Sequence, residues 1–170
     1  MYSYKITKYC LKNKIEKNCF DEWTSISDIG KKYNGKKFLY EDYIKIEDSY
    51  IKVISMFINL NNITYVTIDE LEKHTSNKEI YDEYDIQIEA LINKVQNKMQ
   101  INICDIDLLA RAILREKMWA KLYAEEELYI HFGYDYYMYI GSKLEPKEEI
   151  EHINKLGLEI EKMDSPYSIK

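Results

Sequence analysis

The sequence predicts one α+β domain, a mostly antiparallel sheet packed against three to four helices. Three observations carry that expectation. The chain has 170 residues, enough for one domain with its own core. Segments of strand-like alternation and of helical periodicity are interspersed along it. The last three strand-like segments follow one another without the crossover helices that parallel pairing needs. A composition of 46% hydrophobic and 32% charged residues belongs to a soluble folded chain, not a disordered one. Five glycines and two prolines are too few for a linker-rich or many-turned sandwich architecture. No repeat, low-complexity stretch or linker divides the chain.

The elements follow in order. YSYKITKY (2–9) alternates and carries β-branched and aromatic residues, so it reads as a strand. Residues 10–24 have no period and read as a loop. Ser25 or Ser27 caps a short helix that stops near Asn34-Gly35, where glycine accepts a left-handed conformation. Residues 40–60 form the best helix. Tyr43, Ile44, Tyr50, Ile51, Ile54 and Ile58 lie along one stripe, and Glu47 is the exception in it. Asn61-Asn62 ends that helix, and 63–71 alternates as a strand. Residues 73–79 read as a turn, 80–98 as a helix and 99–103 as a short strand. Asp105 caps a helix through Glu116. KMWAKLYA, ELYIHF and YYMYIG read as successive strands, the last two joined through Gly133-Tyr134-Asp135. Pro146 opens a further helix with Ile150, Ile153 and Leu156 inward, which Gly157 stops. Residues 158–163 add a strand, and the tail after Asp164 is expected to be loose.

Charge and cysteine usage exclude several function classes. Thirty acidic against 24 basic residues leave a net charge of −6, which argues against a dedicated nucleic-acid binder and permits attraction to a basic partner. No apolar run reaches the roughly 20 residues a bilayer span needs, and the N-terminus lacks an apolar signal core. Cys10, Cys19 and Cys104 are odd in number and form no CxxC pair, so reduced cytosolic thiols are the simplest reading. Arginine is nearly absent, with only Arg111 and Arg115.

No catalytic, cofactor or metal motif is present: no phosphate-binding glycine loop, no GxSxG, no HExxH. His74 and His152 read as surface residues. His131 stands near Asp135 and would suit a general acid or base, but a structural hydrogen bond fits it better. Cys104 at a helix start would have a lowered thiol pKa; a buried small hydrophobe fits it better.

Two features look like binding. The segment 79–89, EIYDEYDIQIE, places Glu79, Asp82, Glu83, Asp85 and Glu89 together with no basic residue among them. It is either a partner surface or a solvated helix N-terminus, where acids are favourable anyway. The second feature is the tyrosine load, 17 in all, with Tyr134, Tyr136, Tyr137 and Tyr139 clustered. Tyrosine is enriched at interfaces, and it also suits a pleated sheet. Alternation sets Tyr137 and Tyr139 on one face and Tyr136 and Met138 on the other, so at most half the cluster faces a partner.

YSYKITKY (2–9), DEWTSISDIGKKYNG (21–35), EDYIKIEDSYI (41–51), AILRE (112–116) and HFGYDYYMYIG (131–141) together resemble immunity proteins of bacterial contact-dependent growth inhibition and related polymorphic toxin systems. The resemblance touches the N-terminal third and one C-terminal stretch. It implies a cytoplasmic protein that is not an enzyme, needs no cofactor, and binds one cognate toxin C-terminal domain 1:1. Such a toxin is expected to be a basic nuclease, an RNase foremost, blocked at its active site or substrate surface, with no direct contact to nucleic acid or membrane. On this reading the contact residues are Asp82, Glu83, Tyr84 and Asp85, with Tyr134 and Asp135 as a second patch. The competing readings are a small hydrolase using His131 and nearby carboxylates, and a housekeeping protein-interaction module.

Overall fold

The computed structural model describes residues 1–9, 22–74 and 79–167. Its elements run β1 (Tyr2–Thr7), a 3-10 turn (Ile26–Asp28), β2 (Lys32–Tyr33), β3 (Lys36–Lys37), α1 (Tyr40–Leu60), β4 (Tyr65–Lys73) and α2 (Glu83–Lys94). They continue with β5 (Gln100–Asn102), a second 3-10 turn (Ile103–Asp105), α3 (Ile106–Leu114), β6 (Met118–Ala124), β7 (Leu128–Phe132), β8 (Tyr137–Ser142), α4 (Lys147–Lys155) and β9 (Glu159–Lys162). Seven strands form one sheet in the order β5-β4-β6-β7-β8-β1-β9, and every pairing in it is antiparallel. This is the α+β single domain that the interspersed periodicities predict.

Alternation assigns the two faces of the sheet. Ile6, Ile68, Leu122, Ile130, Met138 and Ile140 are buried and join one core. Helix α1 adds Tyr43, Tyr50, Ile54 and Phe57 to it, α2 adds Ile88, α3 adds Leu109 and Ile113, and α4 adds Ile153. The helices therefore share one core with one face of the sheet. The other face carries Lys5, Lys121, Tyr123, Tyr129, His131 and Tyr139. Gly141 belongs to it, because a Cβ there would lie 1.9 Å from the Tyr129 ring.

Local sequence sets the ends of the helices. Helix α1 begins where the Asp42 carboxylate accepts the Leu39 N–H at 3.3 Å, and it stops at Asn61, whose side chain donates to the Phe57 carbonyl at 2.8 Å. Helices α3 and α4 end alike: the Lys117 N–H reaches the Ala112 carbonyl at 2.9 Å, and the Leu158 N–H reaches that of Ile153 at 3.3 Å. The left-handed residue is Gly157 in α4 but Glu116, with φ +57°, in α3. Glycine takes that conformation at no steric cost, and glutamate does not.

Several local expectations are corrected. Asn34-Gly35 does not end a helix. It is the turn of the β2–β3 hairpin, with both residues at positive φ as a type I′ turn requires; the preceding helix is only the 3-10 turn that follows Ser25. The first cap before α3 is Asn102, whose side chain accepts the Cys104 N–H at 2.9 Å; Asp105 makes no side-chain cap bond. Helix α2 is shorter than 80–98. Residues 165–167 are packed, not loose: the Ser165 hydroxyl lies 2.7 Å from His131 Nδ1, and the Tyr167 ring meets Trp119 and Tyr139. Most of the predicted 10–24 loop and of the 73–79 turn, together with Cys10 and Cys19, falls outside the described residues.

Candidate partner-binding surface

The two predicted patches meet different fates. The first begins at the start of α2, where Asp82 accepts the Tyr84 N–H at 2.9 Å and Asp85 reaches back to the Tyr81 N–H at 2.8 Å. Asp85 also accepts the Asp82 N–H at 3.4 Å, so the two carboxylates satisfy amides at and before the first turn of the helix. The same two carboxylates then meet Arg115, which is fully buried. Arg115 Nη1 stands 2.8 Å from Asp82 and 3.0 Å from Asp85, while its Nε and Nη2 grip Glu47 at 2.8 and 2.9 Å. Arg111 pairs with Glu47 and, at 2.6 Å, with Asp48. The Tyr84 ring lies 4.3 Å from the Arg111 guanidinium carbon, a cation–π contact.

Glu47, the exception in the stripe of α1, is thus the centre of an ion cluster that ties α1, α2 and α3 together. Both arginines of the chain are in it. Their planar forks hold two carboxylate oxygens at once, which a lysine cannot do. Burial works to raise the Asp82 carboxyl, but the bonds from Arg115 and Tyr40 hold it below the usual carboxylate range. Of the four residues expected to contact a partner here, Asp85 is buried, Asp82 and Tyr84 are half-buried and held by the arginines, and only Glu83 is exposed. Two of the five acids of 79–89, Asp82 and Asp85, are answered from inside the protein, and Glu79, Glu83 and Glu89 stay exposed.

The second patch stands outward. Tyr134 is 84% exposed, and Asp135 beside it is exposed. The Tyr137 N–H closes the turn onto the Tyr134 carbonyl at 3.2 Å, and the two central residues, Asp135 and Tyr136, both have positive φ. Aspartate tolerates that region; a bulky tyrosine at φ +61° is a strained outlier. Tyr136 is held there by its buried ring, which packs edge-on against Trp23, Tyr43 and Tyr50, and by the Tyr50 hydroxyl donating to its carbonyl. The buried Tyr136 anchors a turn that holds Tyr134 and Asp135 in solvent.

Beside the turn lies a cleft of about 340 Å³, which runs to the C-terminal end of α3. Trp119, Phe132, Tyr134 and Tyr137 line it together with Glu116 and Asp135. Desolvation in the cleft wall raises the Glu116 carboxyl, and the charges of Asp28 and Asp135 raise it further against the opposing pull of His74. Sequence reasoning missed Glu116, Trp119 and His74 as neighbours of the turn; a signal for Glu116 was its place just beyond an apolar helical stripe, where glycine is the usual residue.

His131 is 1% exposed. Its Nδ1 meets Ser165 and its Nε2 meets the Tyr123 hydroxyl at 2.8 Å, so neither nitrogen is bonded to a carboxylate, and Asp135 is not its partner. Burial, with the Lys121 charge added, pushes its pKa down to about 4. His131 is not among the residues that line the cleft. Cys104 is exposed, not the buried hydrophobe expected of it. His74 and His152 are at the surface. Among the described residues no group of three or more His, Cys, Asp or Glu is placed to hold a metal ion, and no helix is long and apolar enough to cross a membrane. No protein-family model, no curated protein and no solved structure matches the chain.

Proposed function

We propose that this protein is an immunity protein of a contact-dependent growth inhibition or related polymorphic toxin system. It acts in the cytoplasm, is not an enzyme, and binds one basic toxin domain 1:1. That domain is a nuclease, with an RNase the favoured class, and the bound protein covers its active site or substrate surface. The observation that carries this reading is the Tyr134-Asp135 turn, an exposed aromatic and an exposed acid held on a buried, strained anchor. Strain of this kind persists where the surroundings enforce it, and it is often kept for function. Tyrosine offers large contact area at low entropy cost. A net charge of −6 would speed encounter with a basic domain, and the five resembling segments point to the same class.

The test is co-expression of the tagged chain with the protein encoded directly upstream, followed by affinity measurement at two salt concentrations. The expected result is rescue from toxicity and a 1:1 complex in the nanomolar range, about −12 kcal/mol, that weakens with salt. Absence of a complex, or unrelieved toxicity, would overturn the proposal.

A further inference from the structure

We infer that the cleft between the C-terminal end of α3 and the β7–β8 turn receives one cationic side chain, a lysine or an arginine, projecting from the partner protein. The partner's identity rests on the function proposed above, but the cation preference of the cleft stands on the lining alone. Its volume, about 340 Å³, lies at the lower end of the range for small-molecule pockets, so it suits one side chain more than a peptide segment. Five aromatic residues, Trp119, Phe132, Tyr134, Tyr136 and Tyr137, line it. Ring faces attract cations, most strongly when water is partly excluded, and the apolar walls suit the methylene stem of a lysine or arginine.

Two carboxylates, Glu116 and Asp135, also line the cleft with His74, and among the described residues no lysine or arginine does. Lysines of the surrounding elements have other partners: Lys8 is paired with Glu22 at 3.4 Å, although Asp135 feels its charge, Lys31 is paired with Asp28 at 2.6 Å, and Lys117 reaches the Glu79 carbonyl at 2.6 Å and Asp85 at 3.7 Å. An anionic guest would meet two like charges, with only the His74 ring among the described lining to oppose them. A neutral aliphatic guest would leave both carboxylates partly desolvated and unanswered, which costs free energy. A guest with an apolar stem and a positive head satisfies both parts of the lining.

The test uses the whole protein, isotopically labelled, titrated with N-acetyl-arginine methylamide and observed by NMR. Its uncharged near-isostere, N-acetyl-citrulline methylamide, is the control. The Trp119 indole signal reports the cleft, and the amides of α4 (Lys147–Lys155), which contributes no residue to the lining, serve as an internal reference. The expected result is a saturable shift of the Trp119 indole and of the 133–137 amides, at millimolar affinity, with the arginine probe only. The variant carrying Glu116→Gln and Asp135→Asn should bind it roughly tenfold more weakly, from the loss of two exposed ion-pair partners, with an unchanged amide spectrum elsewhere. Equal shifts from the citrulline probe, or no saturable shift at Trp119, would overturn the inference. If the toxin complex fails to form, the proposed function falls and the titration still decides the cleft. If the complex forms and the double variant binds it as tightly as the parent, the cleft takes no partner cation and the inference falls alone.

Discussion

The segment 79–89 and the turn 133–137 look alike in sequence, each a short run of acids and tyrosines, yet the fold treats them oppositely. At the start of α2 two of the acids, Asp82 and Asp85, point inward onto a buried Arg115 at the end of α3. At the β7–β8 turn only the second tyrosine points inward, and the residues before it are thrown outward. The difference lies in what each segment meets across the chain. Acid density along a sequence therefore does not mark an acidic surface until its counter-charges are located. Here the main counter-charge is Arg115, just past the end of another helix.

The largest effect should come from removing the inner counter-charge. Arg115→Ala would leave Glu47, Asp82 and Asp85 without their shared cation, and should cost about 3–5 kcal/mol in urea unfolding, the usual penalty for orphaning a buried charge. A loss below about 1 kcal/mol would mean that the acids of α2 are solvated after all. By the same logic, reversing Asp82 or Asp85 should unfold the protein, while Glu83→Lys, at the exposed position, should change stability by less than about 0.5 kcal/mol and slow association with a basic partner at low salt.

On the outer side, Tyr136→Ala should cost about 3 kcal/mol, at the low end for a buried aromatic, because relief of the left-handed strain offsets part of the lost packing. Tyr134→Ala should leave the unfolding midpoint unchanged and weaken the toxin complex at least tenfold, as for an interface hot spot. Equal affinity for variant and parent would remove the turn from the interface.

Acid titration separates the cluster from the rest of the core. The His131 pKa is lowered in the folded state, to about 4, against 6.5 when unfolded. The unfolded chain then binds more protons between these values. The His131 contribution is full above pH 6.5 and is lost as pH falls through 4, by roughly 3 kcal/mol. Asp82, held low by Arg115 and Tyr40, gives way only at more acid pH. His131→Gln should flatten the slope of stability between pH 6.5 and 4; a slope that survives would place the titration in the ion cluster instead.

The smallest effect concerns strain. Asp135→Gly should raise stability by about 0.5 kcal/mol, since glycine accepts φ +57° freely, and it should weaken binding of the partner. A gain in stability with no loss of affinity would make the aspartate structural only.

Much of the architecture was legible because it rests on periodicity. Helix α1 was readable to the residue from its apolar stripe, and β6, β7 and β8 from alternation and short turns. Glu47 was visible as an anomaly, but its meaning was not, since only the fold brings residues 47, 82, 85, 111 and 115 to one point. Asn34-Gly35 was misread because the flanking lysines hide a hairpin that apolar neighbours would have advertised. The tail misled because a serine and a tyrosine carry no apolar signal, although both dock on His131 and its neighbours. The cleft joins α3 to a hairpin turn, and no local pattern encodes such a meeting.

Strand β1 is made first and paired last. Its neighbours are β8 and β9: Tyr2 lies opposite Ser142, and Thr7 opposite both Tyr137 and Glu159. On the ribosome β1 must wait, with both edges open, until residues 137–142 have been synthesised. Such distant pairing slows folding and exposes the nascent chain to edge-to-edge association. Chains that stop before residue 137 lack both partners of β1 and cannot close the sheet, so the finished fold depends on translation through β8 and β9.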